Sequence, residues 1–223
     1  MKEQIRILST RKLLPNQKQF LLNAGMSLTE TDFIQTAGHN FDLTEINEYL
    51  VFTSQNAVNS YLKNPVAMAL KVKPCCCVGT KTKELLEQNG FEVVLSASNS
   101  AELGQLIIRQ FQNSSFSIFG GNLTLKILPE ILKTASVTFN ELEIYKTELT
   151  PCKIDGKFNG ILFFSPSGVE SFLSINKLQD ATCFCIGSTT AKALEHLTLK
   201  VIIAHQPTVE NTIIQTINHY KKA

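Results

Sequence analysis

The chain has 223 residues, 43% of them hydrophobic and 18% charged, with a formal net charge of +2. That length can bury one large core or two cores of roughly 100 residues each, and no apolar run approaches the roughly 20 residues of a membrane-spanning helix. A net charge of +2 without a basic stripe interleaved with aromatics excludes nucleic acid as the expected partner and leaves a small molecule.

In chain order, 5-IRILSTR-11 predicts a strand and a polar turn, and Pro15 opens a helix to Asn23 with Gly25 just past its end. Residues 27–37, polar and β-branched, read as a second strand running into a connector, and 42–47 as one turn of helix. Strand 49–53 leads to a helix with Ala57, Val58, Tyr61 and Leu62 on one face, closed by Asn64-Pro65. Strand 75–78, helix 81–89 with Gly90 as its left-handed end, and strand 91–95 follow. Asn99 and Glu102 have the spacing of a capping box before a helix bearing Leu103, Leu106, Ile107 and Phe111. Strand 116–119 ends at Gly120-Gly121, a helix spans 125–132, strand 137–145 follows, and 146–151 reads as a crossing segment. The remainder predicts strands 160–164, 183–186 and 200–204 alternating with helices 167–173, 189–197 and 208–220.

Two stretches occur twice. The run 75-CCCVGTKTKELL-86 aligns with 183-CFCIGSTTAKAL-194, and 51-VFTSQNAVNSYL-62 with 162-LFFSPSGVESFL-173. Each half therefore has strand, Ser, helix, then strand, Gly-x-x-Thr, helix. A strand that stops at glycine and passes directly into a helix leaves unpaired N–H groups and the positive end of the helix dipole outward, where a carboxylate can bind. This period is too long for a solenoid and predicts two related lobes facing one ligand.

Alternating strands and helices predict an α/β fold with two parallel-sheet lobes, ligands lying at the carboxyl ends of the strands. The middle of the chain already holds five strands and the last part only three. Residues 1–33 are therefore expected to join 150–223 as one discontinuous lobe, 38–145 to form the other, and 34–37 with 146–149 to be hinge connectors.

Five of the six cysteines (Cys75, Cys76, Cys77, Cys183 and Cys185) lie in the repeated strands, where small core residues are expected rather than disulfides or a Cys-x-Cys metal site. Without a signal-like apolar core at the start, the cytoplasm is the expected compartment. His39, His196, His205 and His219 pair with no nucleophile at a motif spacing, so surface or packing roles are expected. The run 79-GTKTKE-84 lacks the first glycine of a phosphate loop.

Taken together and in order, Thr10-Arg11, 52-FTSQNAV-58, 78-VGTKT-82, Gly121-Asn122 with Leu128-Pro129, 143-EIYKTE-148, 163-FFSPSGV-169, 186-IGSTTA-191 and 204-AHQPTVENTI-213 resemble the uroporphyrinogen-III synthase family over nearly the whole chain. The resemblance implies a monomeric, cofactor-free enzyme that cyclises the linear tetrapyrrole hydroxymethylbilane with inversion of the last ring and loss of water. It implies that Arg11, Ser54, Thr82, Ser165, Ser167, Gly187, Thr189 and Thr190 line the substrate, and that Tyr145 assists departure of the hydroxyl. Thr124 stands where many relatives carry Arg, with Lys126 two residues on. That departure keeps a second reading in view, a two-lobe binding or sensor protein without turnover.

Overall fold

The structure is a computed structural model that describes residues 4–38 and 41–221. It divides into two compact units, Met1–Gln35 with Glu148–Ala223, and Thr36–Thr147.

The first unit is built on β1 (Arg6–Ser9), β2 (Ser27–Glu30), β9 (Gly160–Phe163), β10 (Thr182–Cys185) and β11 (Val201–Ile203), in the order β11-β10-β9-β1-β2. All its neighbouring strands run parallel. One face packs Ile7, Leu162 and Phe184 against Leu21 of α1 (Pro15–Asn23) and Ile213 of α8 (Val209–Lys221). The other packs Leu8, Ile161, Phe163, Cys183 and Cys185 against Val169 and Phe172 of α6 (Pro166–Leu173). Burial on both faces is why these strands read as continuous apolar runs.

The second unit has a sheet of β3 (Ile34–Gly38), β4 (Tyr49–Phe52), β5 (Cys75–Val78), β6 (Val93–Ala97), β7 (Ser115–Gly121) and β8 (Thr138–Leu149), in the order β3-β8-β7-β4-β5-β6. Leu50, Phe52, Cys75, Cys77 and Phe119 face α2 (Gln55–Tyr61) and α3 (Thr80–Gln88). Val51, Cys76, Phe116 and Ile118 face α4 (Ser100–Phe111) and α5 (Ile127–Thr134). The serine-bearing strand lies beside the glycine-bearing strand in both units, β4 by β5 and β9 by β10. The place that β7 and β8 take beside β4 is taken beside β9 by β1 and β2, so the first unit draws its outer strands from the start of the chain.

Several local expectations are corrected. Residues 27–37 form two strands, β2 and β3, which join different sheets. Residues 42–47 are not helical: Asp42 accepts the Thr44 N–H at 2.9 Å, and Asn47 is tied to Ser117, Phe116 and Asn140, side-chain bonds that compete with a helical turn. A 3-10 helix, Pro65–Val72, follows Asn64. Strand β6 begins two residues late, at Val93, and α5 is shifted likewise to Ile127–Thr134. Residues 146–149 continue β8. The helix expected over 189–197 is only α7 (Ser188–Lys192), after which i→i−3 bonds such as Glu195 to Lys192 continue the turn as far as His196, at φ +66°. Asn99 caps α4 through the Glu102 N–H, but the Glu102 carboxylate takes the N–H and hydroxyl of Ser98 instead of closing the box on Asn99.

Among the described residues no helix is long and apolar enough to cross a membrane.

Candidate functional site

In each unit the polar residues gather where buried strands end and helices begin. The second unit supplies the only predicted catalytic group. Ser54 follows β4 and caps α2, accepting the Ala57 N–H at 3.2 Å, and its Oγ lies 3.4 Å from the Tyr145 hydroxyl. Tyr145 is 8% exposed and packs on the α2 and α3 side of the sheet beside Ile144. Two consecutive strand residues on one face require a break in the pleat. Pairing of β7 with β8 runs Gly120 to Glu143 and then Gly121 to Tyr145, skipping Ile144, which is that break.

The glycine turn of this unit lies next to it. Gly79 has φ +88°, a conformation that L side chains rarely adopt, and donates its N–H to Ala97 at 2.8 Å. Thr82, one turn into α3, is buried at 4% exposure. Gln55 Nε2 reaches the Lys81 carbonyl at 3.4 Å, joining the first turns of α2 and α3.

In the first unit Ser165 caps α6 by accepting the Gly168 N–H at 3.0 Å, and its Oγ lies 3.1 Å from that of Ser167. Thr10 is buried and donates to the Leu162 carbonyl at 2.8 Å, fixing the end of β1 to β9. Arg11 is exposed, with its guanidinium 5.8 Å from the centre of the Phe164 ring, beside Ser165. Gly187 leads into α7, in whose first turn Thr189 is exposed, whereas Thr190 is buried at 1%. Gly187 has φ −170°, ordinary extended backbone, and a Cβ there would meet nothing within 4 Å.

The structure therefore gathers Ser54, Thr82 and Tyr145 in one unit, and Arg11, Ser165, Ser167, Gly187, Thr189 and Thr190 in the other. Thr124 has a local duty. Its Oγ1 accepts the Gly121 N–H at 2.7 Å, while its N–H donates to the Gly121 carbonyl at 3.0 Å, closing the turn after β7. Lys126 pairs with Glu141 at 2.6 Å and is more than half exposed, so it is no unpaired replacement for an arginine. A cavity of about 220 Å³ in this unit is lined by Thr53, Asn122, Thr124, Lys126 and Glu143 among others. A larger cavity, about 410 Å³, lies in the first unit against Leu8, Phe158, Ile161 and Phe172 and contains none of the predicted site residues.

Sequence reasoning missed the use made of Gly121 and Asn122. A Cβ on Gly121 would lie 2.3 Å from Cε2 of Tyr145, so the bare glycine is what admits the ring. Asn122 bridges to Thr147 with two bonds. The signal was available as a Gly-Gly-Asn run directly after a buried strand.

His39 lies outside the described residues; His196 and His205 are exposed, and His219 lies edge-on to Phe184 and Tyr220. The strand cysteines are fully buried and unbridged. Burial pushes the thiols of Cys76, Cys183 and Cys185 up to about 12 and that of Cys77 to about 11, so they stay protonated.

Two parallel-dominated sheets with hydroxyl-capped helices at their strand ends, one cap facing a phenol, define the class: an α/β protein of two sheet units with polar helix starts. The family model described as uroporphyrinogen-III synthase HemD matches residues 27–214, and the chain belongs to that family. It is thus a cyclising hydro-lyase that converts a linear tetrapyrrole, not a binder without turnover. The fold is similar to that of the uroporphyrinogen-III synthetase of Helicobacter pylori, with TM-score 0.74 and 19% identity over 97% of this chain and 100% of that one. It is also similar to a mutant uroporphyrinogen III synthase of Thermus thermophilus, with TM-score 0.70 and 13% identity over 98% and 100% of the two chains. The wild-type Thermus enzyme in a second crystal form gives TM-score 0.53 at 15% identity, covering 98% of each chain. No curated protein matches the chain in sequence.

Proposed function

We propose that the synthase reaction runs at Tyr145, with amide and hydroxyl clusters at the strand ends holding the carboxylates of hydroxymethylbilane. The observation that carries this reading is the 3.4 Å approach of the Tyr145 hydroxyl to Ser54 Oγ at the end of β4. Ser54 Oγ already accepts the Ala57 N–H, so its own hydrogen can be donated to the phenol oxygen, leaving the phenol hydrogen for the substrate. Tyr145 gives that proton to the departing hydroxyl, which leaves as water, and the pyrrole nitrogen lone pair stabilises the cation that remains. The cationic methylene carbon bonds to the substituted α-carbon of the last ring, and the bond from that carbon to its original methylene breaks. That methylene then closes onto the ring's free α-carbon, whose proton returns to the phenolate, so the ring is inverted and the phenol restored.

The electron-rich pyrrole stabilises the cation, which forms readily, so positioning is the larger task and the phenol adds roughly 10²-fold as a general acid. Arg11, Ser165, Ser167, Thr189, Thr190, Thr82 and the N–H groups after Gly187 serve as carboxylate partners in this reading. Residues 34–37 and 146–149, within β3 and at the end of β8, act as its hinge connectors, and the protein works as a cytoplasmic monomer without cofactor. The test is a coupled assay on hydroxymethylbilane. Isomer III is the expected product; isomer I alone, the uncatalysed product, sinks the reading.

A further inference from the structure

We propose that Asn122 is a positioning residue for Tyr145, acting through the β7–β8 bulge; the proposal rests on the reading of Tyr145 as the acid. A regular β8 would alternate faces, placing Ile144 and Tyr145 on opposite sides of the sheet. The skipped Ile144 puts both on the α2 and α3 side, and it is the bulge that aims the phenol at Ser54. Bulges interrupt the ladder and leave local backbone groups without their regular partners.

Asn122 repairs that interruption immediately beyond Tyr145. Its Nδ2 donates to the Thr147 carbonyl at 3.1 Å and its Oδ1 accepts the Thr147 N–H at 2.8 Å, so one side-chain amide does what a paired peptide unit does in a regular sheet. The ring is held from the other side by Gly121, whose missing Cβ would have met Cε2, Cζ and Cδ2 at 2.3–2.7 Å. Thr124 in turn fixes Gly121 by the bond to its N–H at 2.7 Å. Tyr145 is thereby located through its backbone on one side and its ring on the other, without Asn122 touching the phenol. Asn supplies both the donor and the acceptor of the bridge: Asp lacks the donor for the carbonyl, and Ala lacks both bonds.

The protein carries four tyrosines, so 3-fluorotyrosine labelling gives four fluorine resonances, with that of residue 145 identified by its loss in Tyr145→Phe. In Asn122→Ala the residue-145 resonance is expected to shift and broaden while the other three stay in place. Turnover should fall about tenfold at nearly constant KM, the scale expected for a misplaced catalytic group. Asn122→Asp should fall between wild type and Asn122→Ala. Added to Tyr145→Phe, Asn122→Ala should cost no further turnover, because its effect is exerted only through the phenol. An unmoved resonance in a folded Asn122→Ala protein, or losses that multiply in the double variant, would overturn the positioning role. Full turnover in Tyr145→Phe sinks the acid reading instead, while the resonance still decides whether Asn122 places the ring.

Discussion

The two units cap their first site helix in the same way, yet what stands against the capping serine differs. Ser54 and Ser165 accept N–H bonds three residues on, at 3.2 and 3.0 Å. Against Ser54 stands the phenol of Tyr145, and against Ser165 the hydroxyl of Ser167. The second helix shows the opposite relation, with the same sequence letter used for different reasons. Gly79 is required by its backbone, at φ +88°, whereas Gly187 is extended and opens onto empty space. In the proposed function, similar turns therefore serve a reacting half in one unit and a holding half in the other.

The largest expected effect tests the phenol. Tyr145→Phe should lower turnover about 10²-fold with some isomer III remaining, as for a lost general acid. Ser167→Ala removes one neutral contact and should cost about fivefold, about 1 kcal/mol, mainly in KM. Equal losses in the two variants, measured by steady-state assay, would erase the distinction between reacting and holding halves.

The glycines come next. Gly79→Val forces a β-branched residue to positive φ and should destabilise its unit by on the order of 1–3 kcal/mol. The buried thiols report this unit by unit. Cys75, Cys76 and Cys77 should react faster with a thiol reagent in Gly79→Val, while Cys183 and Cys185 keep their wild-type rates and exposed Cys152 reacts at once in both proteins. Gly187→Val should leave all five buried thiols protected but weaken substrate binding by more than Lys83→Ala does. Lys83 is a partly exposed side chain paired with Glu87 at 3.7 Å, and such a charge contributes about 1 kcal/mol or less. Protected thiols in Gly79→Val, or an unchanged KM in Gly187→Val, would break the assignment of the two glycines.

What the sequence made legible follows from periodicity and repetition. Buried parallel strands have to be apolar throughout, so 75–78, 160–164 and 183–186 stood out, and the strand count indicated that the first strand belongs beside β9. Where side chains replace backbone bonds, pattern fails. Asp42 and Asn47 hold their loop through side-chain bonds that propensity does not register. The Gly187 φ angle could not be read from the letter G, because the aligned Gly79 shares the letter and not the conformation. Ser54, Ser165 and Tyr145 can be singled out as candidates in the sequence, but the bulge that turns Tyr145 toward Ser54 depends on a one-residue slip between β7 and β8, and pairing register is invisible in a single chain.

The smallest effect separates capping from chemistry at the two serines. Replacing a capping serine by alanine costs about 1 kcal/mol of stability, but replacing it by glycine costs only a few tenths, so Ser→Gly removes the hydroxyl while keeping the helix. In the proposed function Ser54→Gly takes away the donor that turns the Tyr145 proton toward the substrate, and turnover should fall a few-fold, the worth of one hydrogen bond near 1 kcal/mol, with KM little changed. Ser165→Gly has no phenol beside it and should raise KM by a similar factor while leaving turnover alone. The two variants therefore move different constants although the two caps have the same geometry. If Ser54→Gly raises KM and leaves turnover intact, Ser54 holds substrate as Ser165 does, and the phenol proton is oriented by the substrate itself.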